Sequence, residues 1–220
     1  MQIEFFKEIF SRYSSLKFDP SHEDDRAWAL QGLERRLWCE YGAAGGYGVL
    51  GGKFLGRSLL WRKAKEGLPR ISFPKGKSVP SWSWMGVMGP IAYLDAPYGQ
   101  VKWNDEVVSP FPLEPDANDL SQDVGDLRAV ARDIAQDVQT SKLIFDREAE
   151  APNVENLKCV IVGSDKDELT QSDQNHYVLL VAAVDKKEDC SDYKRVGVAV
   201  LSTGDVEFGN LEDEGKVRIV

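Results

Sequence analysis

Apolar residues recur three and four apart at the start of the chain, at Phe5, Phe6, Ile9, Phe10 and Tyr13. That period predicts an amphipathic helix with these rings on one stripe, ending near Ser14-Ser15. A second helix is expected after Asp19-Pro20-Ser21. Ser21 or Asp24 can cap it, and Glu23, Asp24 and Asp25 suit the positive end of its dipole. Ala27, Trp28, Leu30, Leu33, Leu37 and Trp38 carry its apolar face to about Cys39. Seven glycines between Gly42 and Gly56 then break the period and predict a loop. Phe54–Trp61 reads as a short third helix, ending before Gly67-Leu68-Pro69.

From residue 70 the pattern shortens to alternating segments separated by turn signals, the texture of an antiparallel β domain. Ser81-Trp82-Ser83-Trp84-Met85 alternates polar and large apolar residues, which places Trp82 and Trp84 on one face of a strand and Ser81 and Ser83 on the other. Ile91–Leu94 and Val101–Trp103 read as further short strands. Leu127–Ile134 alternates as a strand, with a helix as the competing reading. The remaining expected strands are Lys142–Phe145, Leu157–Gly163, His176–Val184, Arg195–Leu201 and Lys216–Val220, rich in valine and joined by charged turns. The fold class is therefore α+β: a helical module over residues 1–66 packed on an antiparallel β-sheet or partly closed β-barrel over 70–220, as one compact unit.

Composition changes this picture at one point. The net charge is −9, but residues 1–100 hold 14 basic and 10 acidic side chains while 101–220 hold 13 and 26. The N-terminal part is +4 and the rest −13. Residues 53–77 concentrate Lys53, Arg57, Arg62, Lys63, Lys65, Arg70, Lys75 and Lys77 against Glu66 alone. With Trp61, Phe73, Trp82 and Trp84 nearby, three readings are open: a solvated loop over a tryptophan core, docking on an acidic surface, and, ranked last, nucleic-acid binding. No run of about 18 apolar residues exists, so no membrane-spanning segment is expected. Three scattered cysteines, Cys39, Cys159 and Cys190, and the absence of an Asn-x-Ser/Thr sequon suit an intracellular, cytoplasmic chain with reduced thiols.

The chemical motifs are sparse. Gly46-Tyr47-Gly48-Val49-Leu50-Gly51 matches the dinucleotide string G-x-G-x-x-G, but a helix rather than a strand precedes it and no acidic residue follows about 20 positions on. It reads as a loop, and no cofactor is expected. His22 and His176 have no Cys or His at ligand spacing, so no metal site is expected. A cysteine and a histidine can pair in space as nucleophile and base, yet Cys159 sits in a valine-rich strand and reads as core, and His176 as a surface or edge residue. The acidic runs Asp165–Glu168 and Glu212–Glu214 read as solvated turns.

Several segments in order carry a resemblance. Tyr13-Ser14-Ser15, Asp25 to Leu33, Tyr47-Gly48-Val49, Leu55 to Arg62 and above all Val79-Pro80-Ser81-Trp82-Ser83-Trp84-Met85 resemble the region that follows the HET domain in fungal heterokaryon-incompatibility proteins. The strands Leu157–Val162, His176–Val181 and Lys194–Ala199 resemble the closing strands of those proteins. No residue matches the motifs of the HET domain itself, the part associated with cell death after non-self contact. The resemblance implies a non-catalytic regulatory or recognition module in non-self recognition or programmed cell death, with a protein partner such as a HET domain supplied in trans. The second reading is a small-molecule binder or enzyme with a pocket at Trp82 and Trp84. Trp61, Ser81, Ser83, Arg57 and Tyr93 complete the candidate site.

Overall fold

A computed structural model describes residues 2–17, 25–42, 44–65, 68–74, 78–112, 124–147, 152–166, 174–184, 192–209 and 215–220. The class is α+β: a few helices and a large, mostly antiparallel sheet. The chain divides into two compact units that interleave in sequence. The first holds residues 1–93 and 109–126, the second 94–108 and 127–220. The junction expected near residues 66–70 lies inside the first unit, because strands on either side of it pair with each other.

In the first unit, α1 (Gln2–Ser14) buries Ile3, Phe6 and Phe10. Phe5, expected on the same stripe, is 52% exposed. It lies about 100° around the helix from Phe6, outside the 3–6–10 line. Ser14 Oγ donates to Ser11 O at 2.7 Å and accepts from the Ile91 N–H at 2.9 Å, tying the end of α1 to a later strand. The single long second helix is instead two, α2 (Arg26–Ala29) and α3 (Gln31–Tyr41), broken at Leu30. Its expected caps, Ser21 and Asp24, lie outside the described residues. Gly42 closes α3 in the left-handed conformation, its N–H returning to Trp38 O.

The glycine-rich stretch is not a loop but a hairpin. Strands β1 (Gly45–Gly46) and β2 (Val49–Leu50) pair across Tyr47-Gly48. Both turn residues have positive φ, 53° and 74°, as a tight hairpin turn of the primed type requires. The expected third helix is shorter, α4 (Leu55–Leu59). Trp61 belongs to β3 (Trp61–Lys63), which pairs antiparallel with β4 (Ile91–Tyr93).

The second unit is one sheet. Its strands are β5 (Val101–Trp103), β6 (Leu127–Val130), β7 (Arg132–Asp133), β8 (Leu143–Phe145), β9 (Leu157–Asp165), β10 (Asn175–Ala183), β11 (Asp192–Ser202) and β12 (Lys216–Ile219). The order is β5-β9-β10-β11-β12-β6, with β7 on β9 and β8 on β11. The strand reading of Leu127–Ile134 holds, with a break at Ala131 that lets β6 pair with β12 and β7 with β9. Through β6 and β7, on either side of Ala131, residues 127–133 join β12 back to β9, and the sheet is not a fully closed barrel. Only β11 and β12 run parallel among the described pairs, and Arg218 meets the Asp192 carboxylate there. Valine and leucine at Leu157, Val178, Leu180 and Leu201 fill the core, and Gly163 and Gly197 let β5 and β8 approach closely.

Candidate functional site

The segment singled out by its tryptophans forms no strand. Ser81-Trp82 is a turn, and Trp84–Gly86 is a single 3-10 turn. Ser83 explains the departure: its Oγ accepts from the Met85 N–H at 3.0 Å, capping that turn and offering the backbone an alternative to a ladder. Trp82 and Trp84 therefore do not share a strand face. Trp84, wholly buried, lies against Phe10 and Tyr13, ring centroids 5.7 and 6.2 Å away, with the Arg26 guanidinium carbon 5.4 Å from its ring centre. Trp82, 1% exposed, stands between Tyr47 and Phe111, edge to face with both.

Every indole N–H of the three motif tryptophans that is hydrogen-bonded points to a backbone carbonyl. Trp61 Nε1–H donates to Trp82 O at 2.8 Å and Trp84 Nε1–H to Gly48 O at 2.9 Å. Ser83 Oγ–H donates to Tyr47 O at 2.6 Å. Two residues of the tryptophan motif thus grip the two residues of the Tyr47-Gly48 turn. The Tyr47-Gly48 turn and its clamp in Ser83 and Trp84 are one hydrogen-bonded unit. A Cβ at Gly48 would stand 2.3 Å from the Trp84 indole, so close approach and positive φ both demand glycine there.

The other candidates lie around this cluster. Tyr93 is the cross-strand partner of Trp61, with the Lys7 ammonium 5.8 Å from its ring centre. Arg57 is buried in α4, and Ser81 is half-buried in its turn. The structure thus gathers Trp61, Trp82, Ser83 and Trp84 into the first unit's interior, with Tyr93 half-buried against it. Arg26, fully buried, donates to Ser14 O at 3.2 Å. Burial lowers its pKa to about 10, so it stays cationic at neutral pH.

Glu34, absent from the candidates above, also belongs to this cluster. It is 2% exposed and its Oε1 accepts from the Gly48 N–H at 2.6 Å, a third grip on the same turn. Burial pushes its pKa up to about 7, against a smaller lowering by the Gly48 N–H. A signal was present: Glu34 occupies the i+4 position between Leu30 and Trp38, inside an apolar stripe where a carboxylate needs a reason.

His176, expected at the surface, is 4% exposed because β10 is an interior strand flanked by β9 and β11. Its Nδ1 meets Ser164 Oγ at 2.7 Å and its Nε2 meets Thr203 Oγ1 at 3.1 Å. Thr203 donates to Gln174 O at 3.3 Å, so Nε2 carries the proton and Nδ1 accepts from Ser164. Burial and then the charge of Arg132 lower its pKa. The arrangement has a hydroxyl on an imidazole nitrogen, but a threonine where a base would be backed by a carboxylate. Ser164 and His176 are direct cross-strand partners, and the pair serves the sheet. Cys159 is wholly buried as expected, its pKa pushed up to about 12 by burial. Cys190, His22, Lys75 and Lys77 lie outside the described residues. Among the described residues no three His, Cys, Asp or Glu side chains converge as a metal set, and no helix is long and apolar enough to cross a membrane. Comparison with protein-family models, with curated proteins and with solved structures gave no match.

Proposed function

We propose that this chain is a non-catalytic recognition module of fungal non-self recognition or programmed cell death, acting in the cytoplasm through a protein partner. A HET domain supplied in trans is the first partner to test. One observation supports the reading above all: the tryptophans that carry the resemblance are buried and bonded to backbone carbonyls of the Tyr47-Gly48 turn and of Trp82 itself. They maintain a shape rather than line an opening, as suits a module that presents a surface to another protein. The test is affinity purification of the tagged chain with full-length HET proteins, with induced expression in a fungal host. Retention of a HET protein together with a growth defect is the expected result; neither retention nor a phenotype removes the proposal.

A further inference from the structure

The second unit carries an open cleft of about 620 Å3, within the size range of small-ligand sites. Its floor is apolar: Leu143 and Leu157 belong to the unit's core, and Phe145 packs half-buried against it. Among the described residues its charged lining is acidic, namely Asp133, Glu155 and Glu207, with no Lys or Arg. Asp133 is paired with Lys158 at 2.8 Å. Lys142, beside the cleft in sequence, is turned to Asp205 at 2.5 Å. Glu155 and Glu207 are exposed and make no ion pair among the described residues. A backbone bond from the Glu207 N–H to Asp133 O at 3.0 Å fixes one wall, and the 3-10 turn Val154–Asn156 fixes the wall that bears Glu155. Two carboxylates without an ion-pair partner among the described residues, above an apolar floor, disfavour anions and fit a cation whose body is hydrophobic.

We propose that this cleft binds an amphipathic organic cation, a primary amine on an alkyl or aryl body, with its ammonium at the Glu155–Glu207 rim and its body on Phe145 and Val154, over the buried Leu143 and Leu157. The site is independent of the protein-partner reading, and the outcome at one leaves the other unchanged. The experiment is a titration of the full, isotopically labelled chain with 4-phenylbutylamine, followed by amide chemical shifts. 4-Phenylbutanol and 4-phenylbutyrate serve as controls of equal body. Binding is expected with a dissociation constant on the order of 1 mM or lower, the scale for a ligand of this size, with shifts confined to residues 133–145, 152–157 and 207. The alcohol and the carboxylate should bind about tenfold more weakly or not at all, and the Glu155→Gln/Glu207→Gln variant should lose about tenfold in amine affinity at an unchanged melting temperature. Shifts spread over other acidic surfaces, equal binding of the alcohol, or amine affinity undiminished in the double variant would overturn the assignment.

Discussion

A carboxyl group buried without a cation favours its neutral form, and Glu34 is in that position. Its pKa, raised by burial to about 7, lies above the unfolded value near 4.3. Between the two values the folded chain holds a proton that the unfolded chain has released. Stability from this group is therefore full below the unfolded value and falls as pH rises through about 7, by about 4 kcal/mol in all. Glu34→Gln keeps an acceptor for the Gly48 N–H and removes the titration. We expect the variant's first unit to lose most of its pH dependence between about pH 5 and 8, read as thermal midpoints across that range; a variant that tracks the parent slope would show that Glu34 does not carry it. Residues of this kind are hard to read from sequence because a glutamate one turn into an amphipathic helix looks solvated. Only its neighbours at i±4 betray it, whereas a cysteine among valines, such as Cys159, declares its burial directly.

At the scale of elements, legibility follows length and burial. Strands β9, β10 and β11, nine, nine and eleven residues long, were expected within a few residues of their bounds because a buried valine run has few alternatives. The tryptophan segment departs from the expected strand because alternation and a capped 3-10 turn share the same pattern over five residues. What decided it was the serine's local bond to the Met85 N–H, together with partners 36 residues away. The glycine-rich stretch was legible as non-helical but not as a hairpin, since its strands are two residues each. Gly197 makes a test of how closely elements meet. A Cβ there would stand 2.4 Å from Ile144 O and 2.9 Å from the Phe145 Cα, backbone atoms that move only with their strand. Gly197→Ala should part β8 from β11 at a cost of about 1–3 kcal/mol. Faster amide exchange at Leu143–Phe145, with β9 and β10 still protected, is the expected signature; unchanged exchange there would refute the close approach.

For the whole molecule, the +4 and −13 halves do not coincide with the units: the first unit takes in the acidic stretch 109–126 and holds 14 basic and 14 acidic side chains, the second 13 and 22. Charge segregation along a chain need not mark folding units, which are set by apolar pairing. The two units should nonetheless answer acid in opposite senses. In the second, burial and Arg132 hold His176 below its usual value. Its neutral form supports the fold above the unfolded pKa near 6.5, and that support is lost as pH falls below it. Acidification from about pH 7.5 to 5.5 is therefore expected to raise amide protection in the first unit, through Glu34, and lower it in the second. Residue-resolved hydrogen exchange, corrected for intrinsic rates, checks this; parallel changes in both units would contradict it.

The interleaving of the units also sets an order of events during synthesis. Phe111, which packs on Trp82 and lies against Gly46 and Gly51, is made only after β5 of the other unit. The first unit therefore cannot finish around Trp82 until residues past 109 emerge, while β5 waits unpaired for β9, more than fifty residues downstream. Neither unit can be excised as one continuous stretch, and a chain ended at residue 93 would display the Trp82 edge to chaperones instead of to Phe111.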